Sequence, residues 1–250
     1  MKALITGASS GLGRDFSRIL SEMGYDLILV ARRKKKLESL KKELKTNVEI
    51  INMDISSTYN CMQLYEQVKN EDIDILINNA GFGLFGTFDK TNIEKELDMI
   101  DLNIKTVHTL TKLFLKDFKK KNKGYILNVA SSASFLPGPL MATYYASKSY
   151  VFNLTMAIYE ELKKDNSNVY IGTLCPGPVD TEFNKVAGVK FGIKSLDSDK
   201  VCKYAINKMF KRKNLIIPGF TMKFVYIFNR FLPLKLKLKI TYNIQKSKKS

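Results

Sequence analysis

Three side chains in the segment Ser131–Lys148, SSASFLPGPLMATYYASK, can do proton chemistry together. Tyr144 and Lys148 stand four residues apart, and Ser131 lies thirteen residues before the tyrosine. On a helix a spacing of four puts two side chains on one face, about 5–6 Å apart at Cβ. An ammonium beside a phenol favours the phenolate and lowers the tyrosine pKa from its ordinary ~10. Tyr144 is therefore expected to give or take a proton near neutral pH. A Tyr-x-x-x-Lys pair alone is equally the start of an amphipathic helix; its surroundings decide.

Those surroundings alternate strand and helix. Lys2–Thr6 reads as a strand, followed at once by Gly7-Ala8-Ser9-Ser10-Gly11-Leu12-Gly13 and a helix with apolar residues at Phe16, Ile19, Leu20 and Met23. Glycines let a backbone turn tightly and approach a pyrophosphate, which sits on the free N–H groups of a helix N-terminus. The spacing is G-x-x-x-G-x-G, and its place after the first strand gives it weight. Gly24 ends the helix. Asp26–Val30 is the second strand and runs into Ala31-Arg32-Arg33 and Lys34–Lys36. A site for an unphosphorylated ribose usually offers a carboxylate here; this chain offers arginine, which binds a 2′-phosphate bidentately. Arg32, immediately after the strand, is the expected contact, and Lys34–Lys36 read as a solvated helix start.

Further strands are expected at Val48–Met53, ending in Asp54, and at Ile73–Ile77, closing on Asn78-Asn79-Ala80-Gly81-Phe82-Gly83. Helices are expected at Leu37–Leu44, Thr58–Val68, Ile93–Ile100 and Leu102–Phe118, with Asn103 heading the last. Tyr125–Val129 delivers Ser131 at its C-terminal end, where open α/β sheets bind ligands. Tyr144–Lys164 is the long helix carrying the pair. After it come a strand at Tyr170–Cys175, the turn Pro176-Gly177-Pro178-Val179-Asp180-Thr181, a helix at Asp199–Phe210 and a short strand at Leu215–Ile217. This alternation implies right-handed crossovers and a parallel sheet covered on both faces.

The 250 residues suffice for one full α/β core. Cys61, Cys175 and Cys202 form no C-x-x-C pair, so a reduced, cytoplasmic chain with no disulfide framework and no metal site is expected. The single histidine, His108, falls in a helical pattern and reads as structural. Zinc enzymes and Ser-His-Asp hydrolases need more. Met1-Lys2 runs straight into the first strand, which leaves no room for a signal peptide.

By these residues the chain resembles the short-chain dehydrogenase/reductase family, classical type, over about residues 2–220. The motifs are Thr6-Gly7-x-x-x-Gly11-x-Gly13, Asp54, Asn78-Asn79-Ala80-Gly81, Asn103, Ser131, Tyr144-x-x-x-Lys148 and Pro176-Gly177-x-x-x-Thr181. The resemblance implies a Rossmann-type doubly wound sheet of about seven strands in the order 3-2-1-4-5-6-7. It implies a cofactor site from Thr6, Gly7, Ser9, Ser10, Gly11, Leu12, Gly13 and Arg32, with Asp54 at the adenine. Asn78, Ala80 and Gly81 would line the groove, Pro176, Gly177 and Val179 would join the cofactor site, and Thr181 would reach the nicotinamide amide. Tyr144 would protonate the oxyanion formed at a carbonyl, Ser131 would bond the same oxygen, and Lys148 would lower the Tyr144 pKa and hold the nicotinamide ribose. Asn103 would position a water linking Lys148 to solvent. Ser132 is the neighbour of Ser131, and the thirteen-residue spacing favours Ser131. Ser10 stands where many NADP members have a basic residue.

The expected activity is thus NADP(H)-dependent reduction of a ketone or aldehyde, or oxidation of the matching alcohol, with NADP(H) preferred over NAD(H). The details around Leu29–Arg33, Asn79–Gly83 and Ile217–Gly219 are similar to a bacterial branch near the 3-ketoacyl and 17β-hydroxysteroid reductases, which suggests a lipophilic substrate. A homodimer or homotetramer is implied. The competing reading is a non-catalytic, nucleotide-binding regulatory or scaffold protein of the same fold; such members often lose part of the tetrad, whereas all four residues are present here.

Residues 182–198 read as a lid over the substrate, extending toward 212. Beyond 220 the composition changes. Residues 200–250 hold fourteen Lys or Arg and no acid, which leaves +3 of the total +17 for the first 199. Phe220, Phe224, Ile227 and Phe231 recur at about helical spacing, and Leu234–Ile240 alternates strictly with lysine, which favours a strand or an adaptable amphipathic surface. No apolar stretch approaches the ~20 residues a membrane span needs. Packing of the aromatics on the body comes first, peripheral contact with an anionic inner-membrane surface second, and nucleic acid is not expected.

Overall fold

Apolar runs such as Ala3–Ile5, Leu27–Val30 and Ile75–Ile77 are buried along their whole length, as strands covered on both faces must be. The computed structural model describes residues 1–183, 187–188, 195–229 and 231–247. In it these runs form one parallel sheet of β1 (Lys2–Thr6), β2 (Asp26–Ala31), β3 (Val48–Asn52), β4 (Ile73–Asn78), β5 (Tyr125–Val129), β6 (Tyr170–Leu174) and β7 (Leu215–Ile216). The order is β3-β2-β1-β4-β5-β6-β7, as the sequence implied. Ala3 pairs with Leu27 on one side of β1 and with Ile75 on the other. The chain's direction of winding reverses between β1 and β4, which opens a crevice at the C-terminal strand ends.

Helices cover each face by matching apolar stripes. On one face α1 (Gly11–Glu22) contributes Phe16, Ile19 and Leu20, and α2 (Lys34–Glu43) contributes Leu37 and Leu40. On the other, α3 (Thr58–Val68) buries Cys61, Leu64 and Val68. Between β4 and β5, α4 (Ile93–Ile100) runs through a π-helical turn, Asp101–Thr106, into α5 (Val107–Lys121), whose Leu110, Phe114 and Phe118 complete that layer with Leu162 of α6 (Ala142–Lys164). The second helix expected at Leu102–Phe118 is therefore not separate. The backbone stays helical through the junction, and Asn103 lies within a widened turn whose freed Asp101 carbonyl accepts from Thr106 Oγ1 at 3.2 Å.

Of the span 182–212 expected to cover the substrate, residues 184–186 and 189–194 lie outside the described residues. Ser198–Phe210 is a further helix, α7, whose Val201, Cys202, Ala205, Ile206 and Met209 are buried against the α1 side of the core. Asp197 caps it by accepting from Lys200 N at 3.0 Å, and the buried Asp15 of α1 accepts from Ser198 Oγ. That part of the span is core, with its apolar face committed to the sheet.

The C-terminal residues form two helices, α8 (Phe220–Asn229) and α9 (Leu234–Lys246). The strand reading of Leu234–Ile240 is thus corrected. Leucine and lysine are both strong helix formers, and Pro233 sits at the N-cap with its carbonyl accepting from Leu236 N and Lys237 N at 3.1 Å. His108, expected inside an apolar pattern, is exposed on α5 and pairs with the Tyr150 hydroxyl at 2.7 Å.

Candidate active site

The crevice at the strand ends is a cavity of about 690 Å³, and Ser131, Tyr144 and Lys148 all line it. Ser131 follows β5, where its Oγ accepts from Ala133 N at 3.1 Å and starts a 3-10 turn, Ser132–Phe135. Tyr144 and Lys148 sit one turn apart on α6 and are 9% and 5% exposed. Burial pushes the Tyr144 phenol up to about 12, and a hydrogen bond with Ser131 pulls it back only in part. Ser131 and its neighbour Ser132 both line the cavity. Burial also pushes Lys148 down to about 8, while its Nζ donates to Val129 O at 3.0 Å. Desolvation dominates at Tyr144, and the Lys148 ammonium, expected to lower its pKa, is not among the groups that shift the phenol.

Asn103 is fully buried behind these groups and does not line the cavity. Its Nδ2 donates to Phe82 O at 2.9 Å and Ser147 Oγ at 3.0 Å, and its Oδ1 accepts from Phe82 N at 3.1 Å. It therefore fixes the chain after β4 against α6. A Cβ on Gly81 would lie 2.8 Å from Asn103 Oδ1 and 3.3 Å from Lys148 Nζ, so both polar atoms border one small space.

The glycine loop forms the opposite wall. Gly7, Ser9, Ser10, Gly11 and Leu12 line the cavity, as do Ala80 and Gly81 across the crevice. Gly7 has φ +67°, and a side chain there would meet Ala80 Cα at 2.9 Å. Gly13 lies behind the cavity, where a Cβ would come within 2.3 Å of Gly7 O. Close approach of α1 to its own loop requires glycine. Thr6 and Asn78 are also behind the wall. Thr6 Oγ1 accepts from Asn79 N at 3.0 Å and Ala80 N at 3.1 Å, fixing the turn after β4. Asn78 Nδ2 donates to Thr111 Oγ1 and to Asn128 Oδ1, within a buried polar cluster that ties β4 and β5 to α5. Pro176, Gly177, Val179 and Thr181 close the far side. The tight, side-chain-free walls at Gly7, Gly11 and Gly81 fit a dinucleotide, whose phosphates need close backbone approach.

One rim of the cavity is basic. Arg32 is exposed and comes within 3.5 Å of Asp54 Oδ2. Burial raises the Asp54 carboxyl, but bonds from Ser56 and the charge of Arg32 outweigh it and hold the pKa below its ordinary value. Arg33, not singled out from the sequence, donates to Ser9 Oγ at 3.1 Å and Ser10 Oγ at 2.6 Å, and its other arm reaches Glu182 Oε2 at 2.7 Å. A guanidinium thus stands over Ser10, where the chain lacks the basic residue common in NADP members. Lys36 also donates to Glu182, and these bonds hold that carboxyl down at about 2. Only the fold brings Glu182 to this rim, 149 residues from Arg33.

The remaining wall comes from the tail. Met222, Val225 and Phe228 of α8 and Lys237, Ile240 and Ile244 of α9 line the cavity. The helical spacing of the aromatics was a signal for α8, but nothing in the sequence showed which surface it would cover. Among the described residues, no cluster of His, Cys, Asp and Glu could hold a metal ion.

A family model described as short chain dehydrogenase matches residues 1–190. The chain is similar to an uncharacterized oxidoreductase of Staphylococcus epidermidis, 33% identical over 193 residues that cover 76% of this chain and 82% of that protein. Human very-long-chain 3-oxoacyl-CoA reductase is 28% identical over 194 residues, 74% of this chain and 61% of that enzyme's length. A solved short-chain dehydrogenase from Sphingobium yanoikuyae in complex with NADPH superposes with a TM-score of 0.83 at 27% identity, over 92% of this chain and 93% of that one.

Proposed function

From the chain's membership of the short-chain dehydrogenase/reductase family of NAD(P)-dependent oxidoreductases, we propose that it reduces a lipophilic ketone or aldehyde with NADP(H), reversibly. The observation that carries this reading is that the buried Tyr144 phenol, Ser131 and Lys148 line one cavity, together with apolar side chains such as Leu136, Met141, Phe183, Met222 and Val225. Similarity to a reductase of very-long-chain 3-oxoacyl groups supports the lipophilic class.

The nicotinamide group supplies the hydride. Gly7–Leu12 and Ala80–Gly81 would bind the dinucleotide, with Arg32 and Arg33 at a 2′-phosphate and Thr181 at the amide. Tyr144 is held protonated by burial, so at neutral pH it is a donor. As charge grows on the substrate oxygen, Tyr144 Oη gives up its proton to that oxygen, and the Ser131 hydroxyl donates a second bond. The phenolate left behind would share its cavity with the Lys148 ammonium, which is mostly charged at pH 7 with a pKa of about 8. Asn103 holds the Phe82 backbone so that Gly81 stays close to Lys148, and a water in that space would return the proton from solvent.

Tyr144→Phe tests the mechanism. Turnover of NADPH with a ketone panel is expected to fall by at least ~100-fold, the usual worth of a positioned acid, while NADPH affinity measured by fluorescence changes less than about twofold. Near-wild-type reduction by this variant would sink the role given to Tyr144.

A further inference from the structure

We propose that α8 and α9, with residues 231–233 before α9, form a lipid-docking hood that seats the enzyme on an anionic bilayer and admits its substrate from the acyl phase. The second half rests on the lipophilic-substrate reading above; the first does not.

The hood is anchored on its inner side at three places. Tyr226 packs on Phe135 with ring centroids 4.6 Å apart, and Asn229 donates to Phe135 O. Met222 lies over Gly177, where even a Cβ would meet its Cγ at 2.8 Å. Gln245 of α9 donates to the hydroxyl of Tyr145, the neighbour of Tyr144. The hood is thus part of the cavity wall, seated against the catalytic helix.

Its outer side is unlike a water-facing surface. Helix α8 buries none of its residues. Phe220 and Phe231 are 85% and 80% exposed, and Leu234 is 62% exposed. Isolated exposed apolar residues are ordinary, but a contiguous aromatic and aliphatic tip marks an interaction site. Phe224 and Phe228 stack at 3.9 Å, are each about half exposed and also line the cavity. One layer of rings separates the cavity from the outside.

Charge selects the occupant. Lys223 on α8 and Lys235, Lys239 and Lys246 on α9 are exposed, and no Asp or Glu occurs between residues 200 and 250. A second copy docking face to face would set lysines against lysines with nothing to neutralise them. An anionic headgroup layer supplies the missing charge, and the acyl region accepts the rings. No described helix is long and apolar enough to cross a membrane, so the contact is with one leaflet.

The test is co-sedimentation of the full chain with phosphatidylglycerol/phosphatidylcholine vesicles and with phosphatidylcholine alone. Binding is expected to the anionic vesicles only, and to disappear in 1 M salt, where the Debye length falls from about 10 Å to about 3 Å. Phe231→Ser with Leu234→Ser should abolish it while leaving NADPH affinity unchanged. Lys235→Glu with Lys239→Glu should weaken it at least ~20-fold, since each lysine at such a surface contributes roughly fivefold. No sedimentation at low salt overturns the proposal. So does a tip variant that keeps full binding, or one that merely turns an oligomer into monomers without any vesicle effect. In the second half, vesicles should raise the rate on a long-chain ketone but not on a short, water-soluble one; equal effects on both would overturn lipid-phase admission. A protein that binds vesicles yet reduces no ketone would refute the reductase reading and leave the docking surface standing.

Discussion

At the scale of single residues, the site is a compromise between charge and burial. Lys148 carries an ammonium into a space where burial brings its pKa down to about 8 from 10.5. A lysine with a depressed pKa binds fewer protons folded than unfolded between those values, so stability rises with pH there. The destabilisation is fully present below about pH 8 and is gone above about 10.5. Lys148→Met is therefore expected to abolish turnover yet raise the stability of the cofactor-free protein at pH 7, by roughly 1–3 kcal/mol. Urea titrations at pH 7 and pH 10 check this; an equal difference at both would remove the charge from the account. The basic rim gives a second residue-scale prediction. NADPH should exceed NADH in kcat/KM, and both Arg32→Ala and Arg33→Ala should narrow the gap, about tenfold each if a charge-assisted bond of ~1.5 kcal/mol is lost. NADH equal to NADPH in the unaltered chain would refute the 2′-phosphate assignment. Ser131, Tyr144 and Lys148 were legible as candidates because their chemistry and spacing are local, and the fold brings all three to one cavity. Arg33 was not, because its value comes from Ser9, Ser10 and Glu182, which only folding brings alongside.

At the scale of elements, legibility followed the range of the forces involved. Buried parallel strands such as β1, β2 and β4 show as apolar runs and were readable for that reason. Helix α9 was misread because strict alternation was weighed above propensity: Leu234–Ile240 has no neighbouring strand to pair with, and an unpaired alternating segment of good helix formers becomes a helix. The π-helical turn at Asp101–Thr106 left no glycine or proline to announce it. The Thr106 hydroxyl lies within reach of both the Asp101 and the Ile55 carbonyls, and its one proton is shared between them. Within this turn Asn103 bonds to Phe82 and Ser147. Ser198–Phe210 taught the same lesson from the other side, since residues near a loop-like stretch were assigned to a cover when their apolar stripe belonged to the core.

At the scale of the molecule, charge and apolar surface are divided between two regions. The first 199 residues are nearly balanced, and eight of the fourteen basic residues that follow lie in 221–250, the stretch that supplies α8 and α9 to the cavity wall. Sequence showed the excess and the aromatics but not their coincidence with the cavity wall, because that depends on where α8 and α9 land on Phe135, Gly177 and Tyr145. The hood would make access to Tyr144 depend on what lies outside the protein, while the dinucleotide enters from the opposite rim. Two reactants of opposite polarity would then arrive by separate routes.

Cys61, Cys175 and Cys202 are free and buried, on α3, after β6 and on α7, and burial raises all three thiols above their ordinary pKa. Each is a sealed reporter that an aqueous disulfide reagent can modify only when its part of the fold opens. The three modification rates therefore form a clock with three hands. NADPH at about 100 times its Kd adds about 2.7 kcal/mol to the folded state, so any hand driven by global unfolding should slow about 100-fold. A hand driven by local fraying remote from the cofactor should keep its pace. Cys175, beside Lys148, is expected to slow fully. Mass-spectrometric labelling with and without NADPH would read it, and an unchanged Cys175 rate would place its opening outside the cofactor-bound unit.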